Sequence, residues 1–353
     1  MKLPSIPAVD LAARAAALDR QNSLTKPPGS LGRLEELSIQ LAAATGSARP
    51  SVARKAVIVM AADHGVAAEG VSAYPAEVTP QMVLNFVRGG AAINVLARQA
   101  STRVIVVDIG VASNLEPQRG LRLRKIARGT QNIVRGPAMT LSQAETAIAE
   151  GIDVVQAEIA NGLDLVATGD MGIGNTTASA AIVAALTGQP VAQVTGRGTG
   201  VDDAGLARKI AVVERALAVN KPNPKDALDV LIKVGGFEIG GLAGVIIGAA
   251  AKRVPVVIDG FISGAAALIA VGLCPDVRPY LIAAHKSVEV GHRAALDHLD
   301  LKPLLDLNLR LGEGTGAVLA FHLVEAAARI LDEMATFAEA GVSDKTARDT
   351  SKT

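Results

Sequence analysis

The stretch LDLVATGDMGIGNTTASAA combines an apolar run with closely spaced glycines and hydroxyl side chains, the residue types of a phosphate-binding turn. Gly169 and Gly174 have the spacing of the P-loop pattern G-x-x-x-x-G-K-[ST], but Asn175 occupies the lysine position. Gly172 and Gly174 begin the pattern G-x-G-x-x-G, whose third glycine is missing. These departures disfavour a triphosphate with Mg²⁺ and a dinucleotide, and they favour a mononucleotide.

A helix is expected to begin near Asn175, so backbone N–H groups and the positive end of the helix dipole would face a phosphate there. Thr176 adds a hydroxyl, and Lys209, on a helix predicted further along the chain, adds a flexible cation. The alternative is an ordinary turn with a threonine cap, in which Lys209 is a solvated helix residue.

Glu313 lies between Gly312 and Gly314 in RLGEGTGA. A carboxylate on a glycine-rich loop is either exposed to solvent without a role or positioned in a site for catalysis. If it is desolvated, its pKa is raised, which suits a general base. The spacing alone does not choose between the two.

Polar side chains also follow other predicted strands. Ser72 and Gln81 lie close in sequence to Met82, and together they could line a flat, largely apolar pocket. The stretch AAHKSVEVGH adds further polar groups, among them His285, Ser287, Glu289 and His292. The five histidines form no H-E-x-x-H pattern and there is a single cysteine, so no metal site is predicted. No G-x-S-x-G elbow of a serine hydrolase is present.

The elements that must position these groups are short β-branched runs that alternate with helical ones. Strands are predicted in residues 55–65, 102–110, 163–172, 254–264 and 278–287. Such alternation indicates an α/β fold with a Rossmann-like parallel sheet flanked by helices, whose ligand lies beyond the carboxyl ends of the strands.

Helical patterns at both chain ends predict a second, smaller unit. Residues 48–315 would form the catalytic domain, and residues 1–47 and 316–353 would form a small helical domain. In the helix expected over residues 141–162, Ser142 and Glu145 have capping-box spacing.

Composition narrows the class of protein. The formal net charge is +1. The densest basic run, residues 118–129, alternates leucine with arginine, as a strand with one solvent-exposed face does. No nucleic-acid partner is therefore predicted. Cys274 is the single cysteine, the N-terminus has no apolar signal core, and the apolar run 239–251 is short of a membrane span. We expect a cytoplasmic protein without a membrane span.

Eight stretches carry a resemblance to a known family. They are LTKPPGSLGRLE, ADHGVAAEGVSAYPAEVTPQMVLNF, GDMGIGNTT, TGRGTGVDD, GGFEIGGLAG, DGFISGAAAL, AHKSVEVGH and RLGEGTGA, which occur in this order along residues 24–317. The chain thereby resembles the nicotinate-nucleotide–dimethylbenzimidazole phosphoribosyltransferases of cobalamin biosynthesis. The match covers nearly the whole chain and is far more specific than a single glycine motif.

The resemblance implies a homodimer without a cofactor. It also implies transfer of the phosphoribosyl group of β-nicotinate mononucleotide to 5,6-dimethylbenzimidazole, with inversion at the anomeric carbon. Glu313 matches the catalytic base, and Asp170 matches an acidic partner that is usually glutamate in the family. The substrate contacts that it implies are Ser72, Gln81, Met82, Gly172, Gly174, Asn175, Thr176, Lys209, Ser287 and Leu311.

Two alternatives are kept. One is the same reaction with a different acceptor, such as another benzimidazole, adenine or a phenol. The other is a nucleotide-binding protein that keeps the fold without turnover, against which the intact Glu313 and GNTT loop argue.

Overall fold

A parallel β-sheet forms the centre of the molecule. The computed structural model describes residues 2–343 of the 353-residue chain, so residues 344–353 of the predicted helical domain lie outside the described residues. The strands are β1 (Lys55–Ala62), β2 (Thr102–Gly110), β3 (Leu121–Leu123), β4 (Leu165–Met171), β5 (Val256–Ile258) and β6 (Leu281–Ala283).

Helices fill the connections between the strands and both ends of the described chain. The α-helices are α1 (Leu11–Ser23), α2 (Arg33–Thr45), α3 (Val78–Arg88), α4 (Ala92–Gln99), α5 (Leu141–Ala160), α6 (Asn175–Thr187), α7 (Val191–Val194), α8 (Asp203–Asn220), α9 (Ala227–Val234), α10 (Phe237–Ala250), α11 (Phe261–Leu273), α12 (Val290–Leu299), α13 (Thr315–Glu333) and α14 (Phe337–Ala340). Short 3-10 helices cover Gly65–Glu69 and Pro275–Tyr280.

The strand order is β3-β2-β1-β4-β5-β6, and every pairing is parallel. This is the Rossmann order. The first three strands are added toward one edge of the sheet and the last three toward the other edge, so the order switches between β1 and β4. Lys55 of β1 is in register with Thr102 of β2 and with Leu165 of β4. The predicted α/β fold with a Rossmann-like sheet is therefore confirmed.

The predicted strands are right in order but too long at the β5 and β6 edge. Only Val256–Ile258 and Leu281–Ala283 pair, since helix α11 already begins at Phe261 and a 3-10 helix runs up to Tyr280. The predicted capping box of α5 is wrong by two residues. Thr140 caps the helix and Gln143 returns the hydrogen bond, because this pair has the same spacing and starts the helix earlier.

Side chains of β1 alternate between two apolar layers. Ile58 and Met60 pack with α5 and with α10, all of whose residues are buried, while Val57 and Val59 pack with α2 and α13. Glycines allow the closest helix contact: a Cβ on Gly151 would lie 1.9 Å from the Gly241 carbonyl oxygen. Burial on both faces explains why these strands are continuously apolar.

The two ends of the described chain meet. Arg20 of α1 donates from Nε to the Leu331 carbonyl of α13 at 2.6 Å, and Leu331 packs with Ala17 and Ala42. Helix α13 also lines the sheet through Val318 and other apolar residues. The boundary between a catalytic and a helical domain stays a prediction.

Candidate active site

A cavity of about 670 Å³ opens beyond the carboxyl ends of the strands, next to β4. Ligands of open α/β sheets bind at this edge, where the strand order reverses. Eight of the twelve predicted site residues line it: Met82, Asp170, Gly172, Asn175, Thr176, Ser287, Leu311 and Glu313. The other four, Ser72, Gln81, Gly174 and Lys209, are not part of its wall.

The turn from β4 into α6 requires glycine for two different reasons. A Cβ on Gly172 would lie 2.2 Å from the carbonyl oxygen of Ala62 at the end of β1, and Gly174 has a φ of 97°. The N–H groups of Asn175 and Thr177 donate to the carbonyls of Gly172 and Gly174. The helix N-terminus beside the cavity therefore suits an anion.

A histidine lies beneath this turn. His64, the second residue after β1, contacts Glu238 of α10 with 2.6 Å between Nε2 and Oε1, and both side chains are buried. Cβ atoms on Gly174 and Gly236 would lie 3.2 Å and 2.4 Å from His64 atoms. Burial lowers the pKa of His64, but the Glu238 carboxylate outweighs it and the net pKa is raised. The turn thus rests on a buried hydrogen-bonded contact between an imidazole and a carboxylate.

Lys209 lies behind the cavity wall. Its Nζ donates to Thr176 Oγ1 at 2.7 Å, and the side chain is fully buried. Burial lowers its pKa to about 8, against the opposing effect of Glu289. Thr176, which lines the cavity, thus lies next to an ammonium with no other hydrogen-bond partner among the described residues.

Asp170 near the end of β4 is 5% exposed. Asn175 donates from Nδ2 to its Oδ2 at 3.0 Å, while Oδ1 has no partner among the described residues. Burial raises the pKa of Asp170 well above its ordinary value, and the charges of Asp259, Glu238 and Glu313 add to this rise. Oδ1 can therefore accept a hydrogen bond from a ligand in the cavity.

Glu313 is held in a left-handed conformation, with a φ of 62° between two glycines that also have positive φ. Its Oε2 accepts from the Ile93 N–H at the start of α4 (3.2 Å), and its own N–H donates to the Asp170 carbonyl (3.3 Å). A Cβ on Gly169 would lie 2.5 Å from the Glu313 carbonyl oxygen. The loop therefore lies directly against β4.

Burial also tunes this carboxylate. It raises the pKa of Glu313, the Ile93 N–H lowers it, and Asp259 raises it further. Asp259 follows β5 and accepts from the N–H groups of Gly314 and Ala317, so it fixes the start of α13. Glu313 is therefore buried at the cavity rather than exposed, and its chemical role stays a prediction.

The segment after β6 forms a tight polar turn. The Ser287 N–H donates to His292 Nδ1 at 3.0 Å, and the Glu289 N–H donates to Ser287 Oγ at 3.3 Å. Burial lowers the pKa of His292 to about 3, so this imidazole stays a neutral acceptor. His285, 3.6 Å from Asp259 between Nε2 and Oδ1, also lines the cavity.

Large side chains line the rim of the cavity. They are Met82, Leu311 and Tyr74, and Leu311 is 58% exposed. Ser72 contacts the rim residue Thr199 through their hydroxyls (3.1 Å). Gln81 is an exposed residue of α3.

Sequence reasoning left several wall residues unassigned. Phe261 and Asn308 carry no pattern that marks a site. Arg310 lies in the quoted loop RLGEGTGA and donates to the Gly198 carbonyl at 2.9 Å, a contact that only the fold creates. For His285 and Glu289 the sequence signal is that they are polar residues following a predicted strand.

Metal-binding clusters and membrane-spanning helices are both absent from the described part of the chain. Among residues 2–343, no cluster of three or more histidine, cysteine or acidic side chains could hold a metal ion. None of the helices in that range has the length and apolar character needed to cross a membrane.

Known proteins resemble this chain over almost its full length. A family model described as "Phosphoribosyltransferase" matches residues 6–342. The nicotinate-nucleotide–dimethylbenzimidazole phosphoribosyltransferases of Chloroflexus aggregans and Roseiflexus castenholzii are each 67% identical, and each alignment covers 96% of both chains.

A solved structure agrees with these sequences. The crystal structure of the enzyme of this name from Thermus thermophilus superposes with a TM-score of 0.90 at 51% identity, and the match covers 95% of this chain and 99% of the other. The chain is therefore an enzyme that belongs to the nicotinate-nucleotide–dimethylbenzimidazole phosphoribosyltransferase family.

Proposed function

We propose that the chain transfers the 5-phosphoribosyl group of β-nicotinate mononucleotide to 5,6-dimethylbenzimidazole, in assembly of the cobalamin nucleotide loop. The products are α-ribazole 5′-phosphate and nicotinate. The observation that carries this proposal is that a buried carboxylate, Glu313, and a helix N-terminus suited to phosphate, at Thr176, line the same cavity.

The phosphate lies at the glycine turn in this proposal. The dipole of α6 favours an anion there, and Lys209 adds a positive charge behind Thr176. A monophosphate needs no Mg²⁺, because there is no pyrophosphate charge to neutralise. The Ser287 hydroxyl, which lines the same cavity, is a further hydrogen-bonding group.

Glu313 acts as the general base. One nitrogen of dimethylbenzimidazole attacks the anomeric carbon with its lone pair, and Glu313 takes the proton from the other nitrogen. The bond from the anomeric carbon to the pyridinium nitrogen breaks, and its electron pair leaves with nicotinate. Attack opposite the leaving group inverts the configuration, so an α product forms from a β substrate. Such a base contributes about 10²- to 10⁴-fold.

Asp170 faces the positive charge of the reaction. The substrate carries a pyridinium cation and the ribose passes through an oxocarbenium-like state, both of which a carboxylate stabilises. The free oxygen Oδ1 of Asp170 supports this role. Met82 and Leu311 would contact the acceptor ring at the rim of the cavity. Ser72 and Gln81 lie in the same stretch of the chain as Met82.

An assay with both substrates tests the proposal. Purified protein is incubated with nicotinate mononucleotide and dimethylbenzimidazole, and the products are separated by chromatography. We expect equal amounts of nicotinate and α-ribazole 5′-phosphate, and neither without the acceptor. Release of nicotinate without a new nucleotide would contradict transfer.

The acceptor is tested by competition. A mixture of dimethylbenzimidazole, another benzimidazole, adenine and a phenol is offered at equal concentrations. Glu313 suits an acceptor that sheds an N–H proton, so we expect benzimidazole products to dominate. A phenolic product in excess would overturn the choice of acceptor.

The assembly and location are also proposals. Exposed apolar side chains beside the cavity, among them Val288 and Leu307, support burial in a homodimer. The single, unpaired Cys274 is consistent with a reducing compartment such as the cytoplasm. Light scattering of the purified protein would give the mass of a dimer.

A further inference from the structure

Glu289 lies in the cavity wall, and within residues 2–343 its carboxylate has no hydrogen-bond partner. It is 7% exposed, and its Oε2 is fully shielded and unpaired among the described residues. Glu289 occupies the N-cap position of α12, but its side chain makes no hydrogen bond to the first turn of that helix. A buried, unpaired carboxylate is costly, so a function has to offset the cost.

The side chain points instead at the glycine turn of residues 195–200. A Cβ on Gly196 would lie 2.1 Å from Glu289 Oε2, so any other residue there would displace the carboxylate. Two residues on, a Cβ on Gly198 would lie 2.9 Å from both Lys209 Nζ and Thr176 Oγ1. One turn thus covers Glu289 with one glycine and the Lys209–Thr176 pair with the other.

Lys209 and Glu289 are opposite charges that make no direct ion pair. Lys209 is fully buried, its one hydrogen bond goes to Thr176, and no carboxylate lies within 4.0 Å of its Nζ among the described residues. The Glu289 charge nevertheless raises the pKa of Lys209 against the effect of burial.

The other charges near Lys209 are paired or face away from it. Helices α6 and α7, which pack against α8, carry no charged side chain. On α9, Asp229 pairs with Lys233 at 2.9 Å. In the turn itself, Arg197 pairs with Asp203 at the surface, and the nearby His292 is neutral.

Arg310 is the remaining cation at this turn. It donates to the carbonyl of Gly198 and lies on the exposed side of the cavity wall. It would oppose rather than support a charged Lys209.

We propose that Glu289 is a positioning residue for the nucleotide phosphate: held against Gly196 and apart from Lys209, its carboxylate keeps the Lys209 side chain an ammonium until the phosphate arrives. This inference rests on the proposed function, in which Lys209 serves the phosphate end of the cavity. The separation matters, because a direct ion pair would compete with the phosphate for the ammonium.

The test is the pH dependence of nucleotide binding. The dissociation constant of nicotinate mononucleotide is measured by calorimetry from about pH 7 to about pH 9. Binding that needs the ammonium weakens as pH rises, and the dissociation constant doubles at the pKa of Lys209 in the free enzyme, about 8. Glu289→Gln, which keeps the shape, should move this doubling point to lower pH.

The expected size follows from the ammonium fraction. A doubling point lower by one unit weakens binding at pH 8 roughly fivefold, while binding at pH 7 changes much less. Gly196→Ala provides a second perturbation that keeps the charge but displaces it, so it should also move the doubling point. Exposed Glu333→Gln is the matched control and should leave the curve unchanged.

The outcomes separate the inference from the proposed function. Lys209→Met with unchanged nucleotide affinity would remove Lys209 from the phosphate site and with it the role of Glu289. If Lys209→Met weakens binding but Glu289→Gln and Gly196→Ala keep the wild-type doubling point, the role of Glu289 is overturned. Tighter binding by Glu289→Gln at every pH would also overturn it, since the carboxylate would then only repel the phosphate.

Discussion

The carboxyl group of Glu313 combines three properties that a proton acceptor needs. It lines the cavity, it is 5% exposed, and a single N–H, that of Ile93, donates to it among the described residues. Burial raises its pKa and so makes it a stronger base. Its backbone, with a φ of 62°, fixes where the side chain begins.

Glu313→Gln should lose turnover while it keeps nucleotide binding. The amide has nearly the same shape but takes no proton, so kcat should fall by about 10²- to 10⁴-fold. Steady-state kinetics check this, with calorimetry of nucleotide binding as the control. Turnover near that of the parent would remove Glu313 as the base.

The pH profile of kcat/KM for the acceptor follows from the same residue. The base must be ionised, and burial raises its pKa in the free protein above the ordinary 4.5, so kcat/KM should fall as pH drops through a midpoint above 4.5. The residual activity of Glu313→Gln should lack this acid limb. An acid limb of the same midpoint in the variant would assign the titration to another group.

Asp170 should exchange a proton when the substrate binds. Its pKa is raised well above the ordinary value, mainly by burial, so at mildly acidic pH part of it is protonated, and a pyridinium cation favours the carboxylate. Nucleotide binding should therefore release a proton that Asp170→Asn does not release. Calorimetry in buffers of different ionisation enthalpy measures the difference, and equal release by both proteins would contradict this account.

At the scale of elements, four strand ends and one helix start build the site. The segments after β1, β4, β5 and β6 supply His64, the glycine turn, Asp259 and His285, and the loop before α13 brings Glu313 back to β4. Glycines at several points of contact let these segments approach closely. Gly316 is an example, since its Cβ would lie 2.1 Å from His285.

The turn after β6 depends on one imidazole acceptor. His292→Asn places an oxygen where Nδ1 accepts from the Ser287 N–H, so nucleotide affinity should be largely kept. His292→Gln places its acceptor one bond too far and should cost about 1–3 kcal/mol in free energy of unfolding. Chemical unfolding and nucleotide titration of both variants check this. Equal losses would contradict the requirement for an acceptor at the position of Nδ1.

The order of the elements could be predicted from the sequence because parallel strands with two buried faces are continuously apolar. The strand ends at Asp170 and Ser287 were found because polar and glycine residues follow such runs. Contacts between distant segments could not be found in this way. The bonds of Arg310 to Gly198 and of His64 to Glu238 join residues 112 and 174 positions apart, which no local pattern encodes.

At the scale of the whole molecule, small residues allow two helices to pack at backbone distance beside the sheet. Gly151 of α5 lies against Gly241, and a Cβ on Gly244 would lie 2.0 Å from the Ile148 carbonyl oxygen. The aliphatic core therefore has little space for an added methyl group, since protein interiors are close-packed.

Gly151→Ala should lower the free energy of unfolding by about 1–3 kcal/mol, because the methyl group would meet the backbone of α10. Gly136→Ala is the matched control, since nothing lies within 4 Å of its Cβ position and its φ is not positive. Urea unfolding of both variants measures the change. A Gly151→Ala protein as stable as the Gly136→Ala control would contradict the close packing.

The scarcity of aromatic residues gives the molecule a built-in optical reporter. The chain has no tryptophan and two tyrosines. Tyr280 is buried and donates its hydroxyl to the Pro7 carbonyl at 2.8 Å, whereas Tyr74 is 56% exposed at the rim of the cavity. In a Tyr280→Phe protein, all intrinsic tyrosine emission would come from the one side chain at the entrance, and occupancy of the cavity could be followed without a label.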